Sequence, residues 1–118
     1  MVRDALDEAR AAAPIDGVFA TDDLAAAEVL EWARTRNLSV PADLAIIGFD
    51  GTETMRRALP HLATIRQPIE DIARAAVSIL LDQIEGKAQR SSCDEAGAPP
   101  AQTVEFSGTL IPGRSINA

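Results

Sequence analysis

Residues 44–49 read Leu-Ala-Ile-Ile-Gly-Phe, an apolar run that stops abruptly at Asp50-Gly51. Continuous runs of this length are the mark of strands covered on both faces, as in a parallel sheet beneath helices. In open parallel sheets, ligands bind in the crevice beyond the carboxyl ends of the strands. Asp50 falls at such an end, and Gly51 beside it clears backbone space. The run therefore predicts a small-molecule site at the end of a buried strand.

The rest of the composition narrows the classes. At 118 residues the chain can build one domain with a modest core. Eleven basic residues against eighteen acidic ones give a net charge of −7. Nucleic-acid binding needs cations that displace phosphate counterions, so this chain makes a poor DNA-binding surface. Aromatics are 3% with no tyrosine, which leaves few stacking platforms. Cys93 is alone, excluding an internal disulfide, and with the lone His61 it offers no metal-ligand set. No cofactor is expected. No early apolar segment follows Met1, and no window approaches the roughly 18 apolar residues of a membrane span. The expectation is a cytoplasmic protein without membrane contact.

Helical and strand patterns alternate along the chain. Val2 to Ala13 is rich in helix formers and stops at Pro14. Ile15 to Ala20 reads as a short strand. Asp22 to Arg36 reads as a helix with Leu24, Ala27, Val29, Leu30 and Ala33 near one face, Asn37 as a left-handed cap and Pro41 beyond it. Leu44 to Phe49 is the second strand, Thr52 to Leu59 a short helix, and Leu62 to Arg66 a third strand. Pro68 suits a first helical position. Ile69, Ile72, Ala73, Ala76, Val77, Leu80 and Ile84 then recur at helical spacing until Gly86. Lys87 to Gln102 lacks periodicity and reads as a flexible loop. Thr103 to Ile111 reads as a final strand pair or bent strand around Gly108. The order αβαβαβαβ predicts an α/β, three-layer fold with a mostly parallel sheet flanked by helices.

Three acids could carry chemistry. Asp22 and Asp23 follow one strand and open a helix, and Asp50 ends the next strand. Two consecutive strand ends thus point carboxylates into one crevice, where paired acceptors suit a polyol. Asp at a helix start most often serves as a cap, so Asp22 and Asp23 read first in that role. No helix needs Asp50 at once, and it reads as functional. An acid/base enzyme would need a nucleophile with an adjacent base, and none is evident. A phospho-acceptor receiver domain would need a lysine near the end of a late strand. The only lysine, Lys87, lies after a helix.

Several linked segments then carry a resemblance. Phe19-Ala-Thr-Asp-Asp-Leu-Ala25, Pro41-Ala-Asp-Leu-Ala-Ile-Ile-Gly-Phe-Asp50, Leu62-Ala-Thr-Ile-Arg-Gln-Pro68, Ile72-Ala73 and Gly108-Thr-Leu-Ile-Pro-Gly-Arg-Ser115 occur in this order. Together they resemble the C-terminal half of the effector domain of LacI/GalR-family transcriptional regulators, a fold like that of periplasmic sugar-binding proteins. The resemblance implies a sugar or nucleoside effector that shifts affinity for operator DNA. It implies that Asp50 binds effector hydroxyls, with Asp22 at a position that is usually Asn. It makes Asp23 structural, places Gln67 at a crossover and Ile69 on an apolar pocket wall, and puts Gly51 where Asp or Asn is frequent. Ala27, Leu30, Ala58 and Leu62 would lie on a homodimer surface. Trp32 reads as a packing residue and His61 as a turn residue.

The same resemblance sets the expected organisation. Residues 1–66 and 103–118 form a core lobe, 68–86 a crossover helix and 87–102 a loop, within a single partial effector domain. The DNA-binding headpiece is expected to be absent, so operator DNA would be reached only through it. Helix 68–86 carries an apolar stripe whose exposure would cost roughly 1.5–3 kcal/mol per large side chain. It is expected to pack on its own sheet or on another subunit. The reading is a non-enzymatic effector-binding portion of a sugar-responsive regulator. The alternative is a stand-alone solute-binding or dimerisation module of the same fold.

Overall fold

The computed structural model describes residues 2–85 and 103–116. The expectations for Gly86, the loop 87–102 and Cys93 lie outside the described residues. The elements run α1 (Val2–Ala12), β1 (Gly17–Phe19), α2 (Asp23–Thr35), β2 (Ala45–Asp50), α3 (Glu53–Ala58), β3 (Ala63–Arg66), α4 (Ile69–Ile84) and β4 (Thr109–Ile111). Two compact units divide them, Met1–Gln67 with Gly108–Ala118, and Pro68–Ser107.

The first unit holds the sheet, in the order β1-β2-β3-β4. β1, β2 and β3 are parallel, with Phe19 opposite Ile47 and Phe49 opposite Ile65. β4 runs antiparallel to β3, pairing Leu110 with Ile65. The fold is α/β, with a mostly parallel sheet flanked by helices. The expected strand over 103–111 shrinks to Thr109–Ile111, because β3 offers a matching edge of only Thr64 to Arg66.

The core lies between β2 and α2. Leu44 and Ile46 from the strand meet Ala26, Val29, Trp32 and Ala33 from the helix, all buried, with Ala20 and Leu62 at the margin. Trp32 is a packing residue, and its indole Nε1 donates to Asp7 Oδ1 on α1 at 3.0 Å. Asn37 takes the left-handed conformation (φ 54°) just past α2, as its amide side chain tolerates. Two expectations need correction. Leu24 is exposed, and Asp23 takes its place in the first turn of the buried stripe. β2 is buried on one face only, since Ile47 and Phe49 on the other are half-buried. There Phe19 and Phe49 meet edge to face at 6.2 Å.

In the second unit, α4 starts at Ile69 with Pro68 as its N-cap residue rather than inside the first turn. No residue of α4 is buried, and Ile69, Val77, Leu80, Leu81 and Ile84 are exposed. The helix is amphipathic in pattern, and its apolar side remains open to a covering surface.

Candidate functional site

The carboxyl ends of the parallel strands set the geometry. β1 ends at Phe19, and three residues on the chain reaches Asp22, the N-cap of α2. Asp22 is extended (φ −154°, ψ 171°), and its Oδ1 accepts from Ala25 N at 2.6 Å. That bond satisfies one of the orphan N–H groups of the first turn. A carboxylate has about four lone-pair sites, so capping leaves capacity for another donor. The cap role has a separable signature. Asp22→Ala should lower stability by about 1 kcal/mol, whereas Asp22→Ser should retain it to within a few tenths, measured by urea unfolding.

Asp50 ends β2 in an unusual conformation, with φ 111°. For a residue with a side chain this costs on the order of 1–3 kcal/mol, and it persists only where neighbours enforce it. Gly51 follows at φ 61°, and a Cβ there would stand 2.7 Å from Arg66 Cα. Glycine is thus required by both backbone angle and space. Two consecutive residues at the strand end thus have positive φ.

Gln67 closes the other side. Its backbone N donates to Asp50 O at 3.2 Å, and its side-chain Nε2 donates to Asp50 Oδ1 at 2.6 Å. The structure therefore brings Asp50 and Gln67 into direct contact, with Asp22 at the end of the adjoining strand. Ile69 belongs to the other unit, where it opens α4 and is exposed.

Asp23 is buried, with a relative exposure of 1%. Its Oδ2 accepts from Gly51 N at 3.0 Å, and its Oδ1 accepts from Thr64 Oγ1 at 2.5 Å. Thr64, on β3, was not among the residues singled out by sequence. Nothing local could have flagged it, because its partner lies 41 positions away. Among the described residues no buried side-chain nitrogen or oxygen lacks a partner, and no acid, His or Cys cluster fit for a metal occurs.

Of the four residues expected at a dimer surface, Ala58 and Leu62 come just before β3, at the amino-terminal side of that strand. Leu30, Ala58 and Leu62 line one depression of about 450 Å³, together with Val40, Leu59 and His61. Leu62 is nonetheless buried in the chain's own core. Ala27 is half-buried on α2 and does not line the depression.

Residues 1–116 match the model of the periplasmic binding protein-like domain. The chain belongs to this family, in the form carried by LacI-type transcriptional regulators. The sucrose operon repressor of Streptococcus mutans is 44% identical over 70 residues, 59% of this chain and 22% of the repressor. The repressor CytR of Escherichia coli is 42% identical over 74 residues, 63% of this chain and 22% of CytR. The cellobiose complex of the transcriptional regulator CelR superposes with a TM-score of 0.74 at 28% identity, covering 97% of this chain and 31% of that one. The lactose complex of a LacI-family regulator from Arthrobacter sp. FB24 gives 0.70 at 28% identity, covering 98% and 40%. The chain thus spans 22% of the length of these two repressors. These relatives are transcriptional regulators rather than enzymes. Among the described residues, no helix is long and apolar enough to cross a membrane.

Proposed function

We propose that this chain is the effector-binding portion of a sugar-responsive transcriptional repressor, with Asp50 accepting hydrogen bonds from sugar hydroxyls. The observation that carries the reading is the Asp50 carboxylate itself. It sits at the carboxyl end of a parallel strand, in a positive-φ turn, with one oxygen already fixed by Gln67. An acceptor held in place by such a bond loses little side-chain entropy on binding, which favours a polyol over bulk water. Asp22, at the end of the adjoining strand, supplies a second acceptor. The lactose and cellobiose bound to two relatives of the same fold support this ligand class.

Effector binding in this reading is non-enzymatic and cytoplasmic, and it alters the DNA affinity of a headpiece carried elsewhere in the regulator. The test is calorimetric titration with lactose, cellobiose, sucrose and ribose. Saturable binding of one of them, weakened at least about tenfold by Asp50→Ala, is the expected result, since a lost hydrogen bond to a charged group is worth ~1.5–3 kcal/mol. Equal affinity in wild type and Asp50→Ala would remove Asp50 from the site.

The depression lined by Leu30, Ala58 and Leu59 favours a second, compatible role as a homodimer surface. Burying such apolar side chains between two copies would stabilise a dimer by the same area-dependent effect that builds the core. Sedimentation of wild type and Leu30→Glu reads this directly, with a dimer that the substitution converts to monomer as the expected outcome.

A further inference from the structure

We infer that Asp23 and Thr64 are positioning residues for the effector acid: Asp23 holds the Asp50-Gly51 turn in its binding shape through a bond to the Gly51 backbone, and Thr64 holds Asp23, neither touching ligand. The inference rests on the reading of Asp50 as the sugar acceptor. Its basis is a clamp visible at three points. The Gly51 N–H donates to Asp23 Oδ2, which fixes the plane of the Asp50–Gly51 peptide from the α2 side. The Asp50 carbonyl accepts from Gln67 N, fixing the same residue from the β3 side. Thr64 Oγ1 donates to the second oxygen of Asp23 and so sets the rotamer of that carboxylate.

Asp50 has a positive φ that an L-residue does not adopt by preference, so its conformation depends on these bonds. Asp23 and Thr64 are both buried, at 1% and 2% exposure. A buried carboxylate with two donors from two different elements is locked, and what it holds is locked with it. One acid of the Asp22-Asp23 pair thus faces the crevice end of α2. The other faces inward and sets the shape of the neighbouring strand end.

The experiment compares Asp23→Ala and Asp23→Asn with Val29→Ala in the full 118-residue chain. Val29 is buried on the same helix but belongs to the apolar core, so Val29→Ala is a control for lost stability alone. Two readouts are followed by NMR: hydrogen exchange at the Gly51 amide and the position of the Gln67 side-chain NH2 resonance. Cellobiose and lactose titrations are run alongside. Asp23→Ala should speed Gly51 exchange by about tenfold beyond Val29→Ala and shift the Gln67 resonance, because the turn has lost an enforcing acceptor. Asp23→Asn keeps an acceptor for Gly51 N–H and should restore both.

Should Asp23→Ala fail to fold, Thr64→Val against Thr64→Ser carries the same comparison. Both keep a side chain in place, and only Val lacks the hydroxyl. If Gly51 exchange and the Gln67 resonance respond no more to Asp23→Ala, or to Thr64→Val, than to Val29→Ala, the clamp is overturned. If the wild-type chain binds neither of these sugars, nor sucrose or ribose, while the clamp readouts behave as expected, the effector reading fails and the positioning of Asp50 stands.

Discussion

Trp32→Ala should lower stability by about 3–5 kcal/mol, the range for removing a large buried aromatic. Domains of this size are stable by roughly 5–15 kcal/mol, so the variant would retain a small margin at best. The cost has three sources. Trp32 is fully buried among Val29, Leu44 and Ile46, where truncation leaves a void that the β2 backbone cannot close. Its indole N–H ties α2 to Asp7 of α1. The Arg36 guanidinium lies 4.9 Å from the ring centroid and also bonds Asp7, so the ring is the floor of a small polar cluster.

Trp32→Phe separates these sources. It keeps most of the volume and loses the N–H, and should cost about 1–2 kcal/mol. Asp7→Ala, which removes the acceptor from a largely exposed site, should cost about 1 kcal/mol or less. Urea unfolding followed by circular dichroism measures all three. A Trp32→Ala loss no larger than that of Trp32→Phe would mean that the core tolerates the void.

The same helix shows how much was legible in the sequence. The run from Leu44 to Phe49 predicts a buried strand ended by a carboxylate, and β2 ends at Asp50. Strand identity follows from local composition, and so do the helix formers and caps of α2. Pairing does not. The antiparallel direction of β4 and its short length are set by the edge that β3 presents, which no window of residues 103–111 contains. Leu24 and Asp23 show a second limit. Hydropathy assigns Leu to the core and Asp to solvent, yet two donors from Gly51 and Thr64 reverse that order. Burial of a charge is decided by partners distant in sequence, and a linear reading does not hold them.

Gly113→Ala should be nearly as costly as the loss of Trp32, although it adds a single methyl group. A Cβ at this position would meet backbone and not pliable side chains, coming within 2.6 Å of His61 O and closer still to Leu62 C and Ala63 N. Overpacking against backbone costs about 1–3 kcal/mol, or more where neighbours cannot shift. The neighbours here are pinned by Ser115, two residues on. Ser115 Oγ accepts from Ala63 N at 2.8 Å and donates to Ile46 O at 2.6 Å. Its backbone N donates to His61 O at 3.1 Å, and its carbonyl accepts from Ile46 N at 2.7 Å. This buried serine therefore stitches the starts of β2 and β3 through four bonds, and the methyl would force the stitch open. Ser115→Ala removes only the two hydroxyl bonds, at about 1–3 kcal/mol, since it strands the Ala63 N–H. Gly113→Ala is expected to exceed it, because the displacement disturbs all four. Thermal unfolding of the two variants, with exchange at the Ile46 and Ala63 amides, tests the ranking. Unchanged protection at both amides in Gly113→Ala would show that the backbone yields and that the close approach carries no stability.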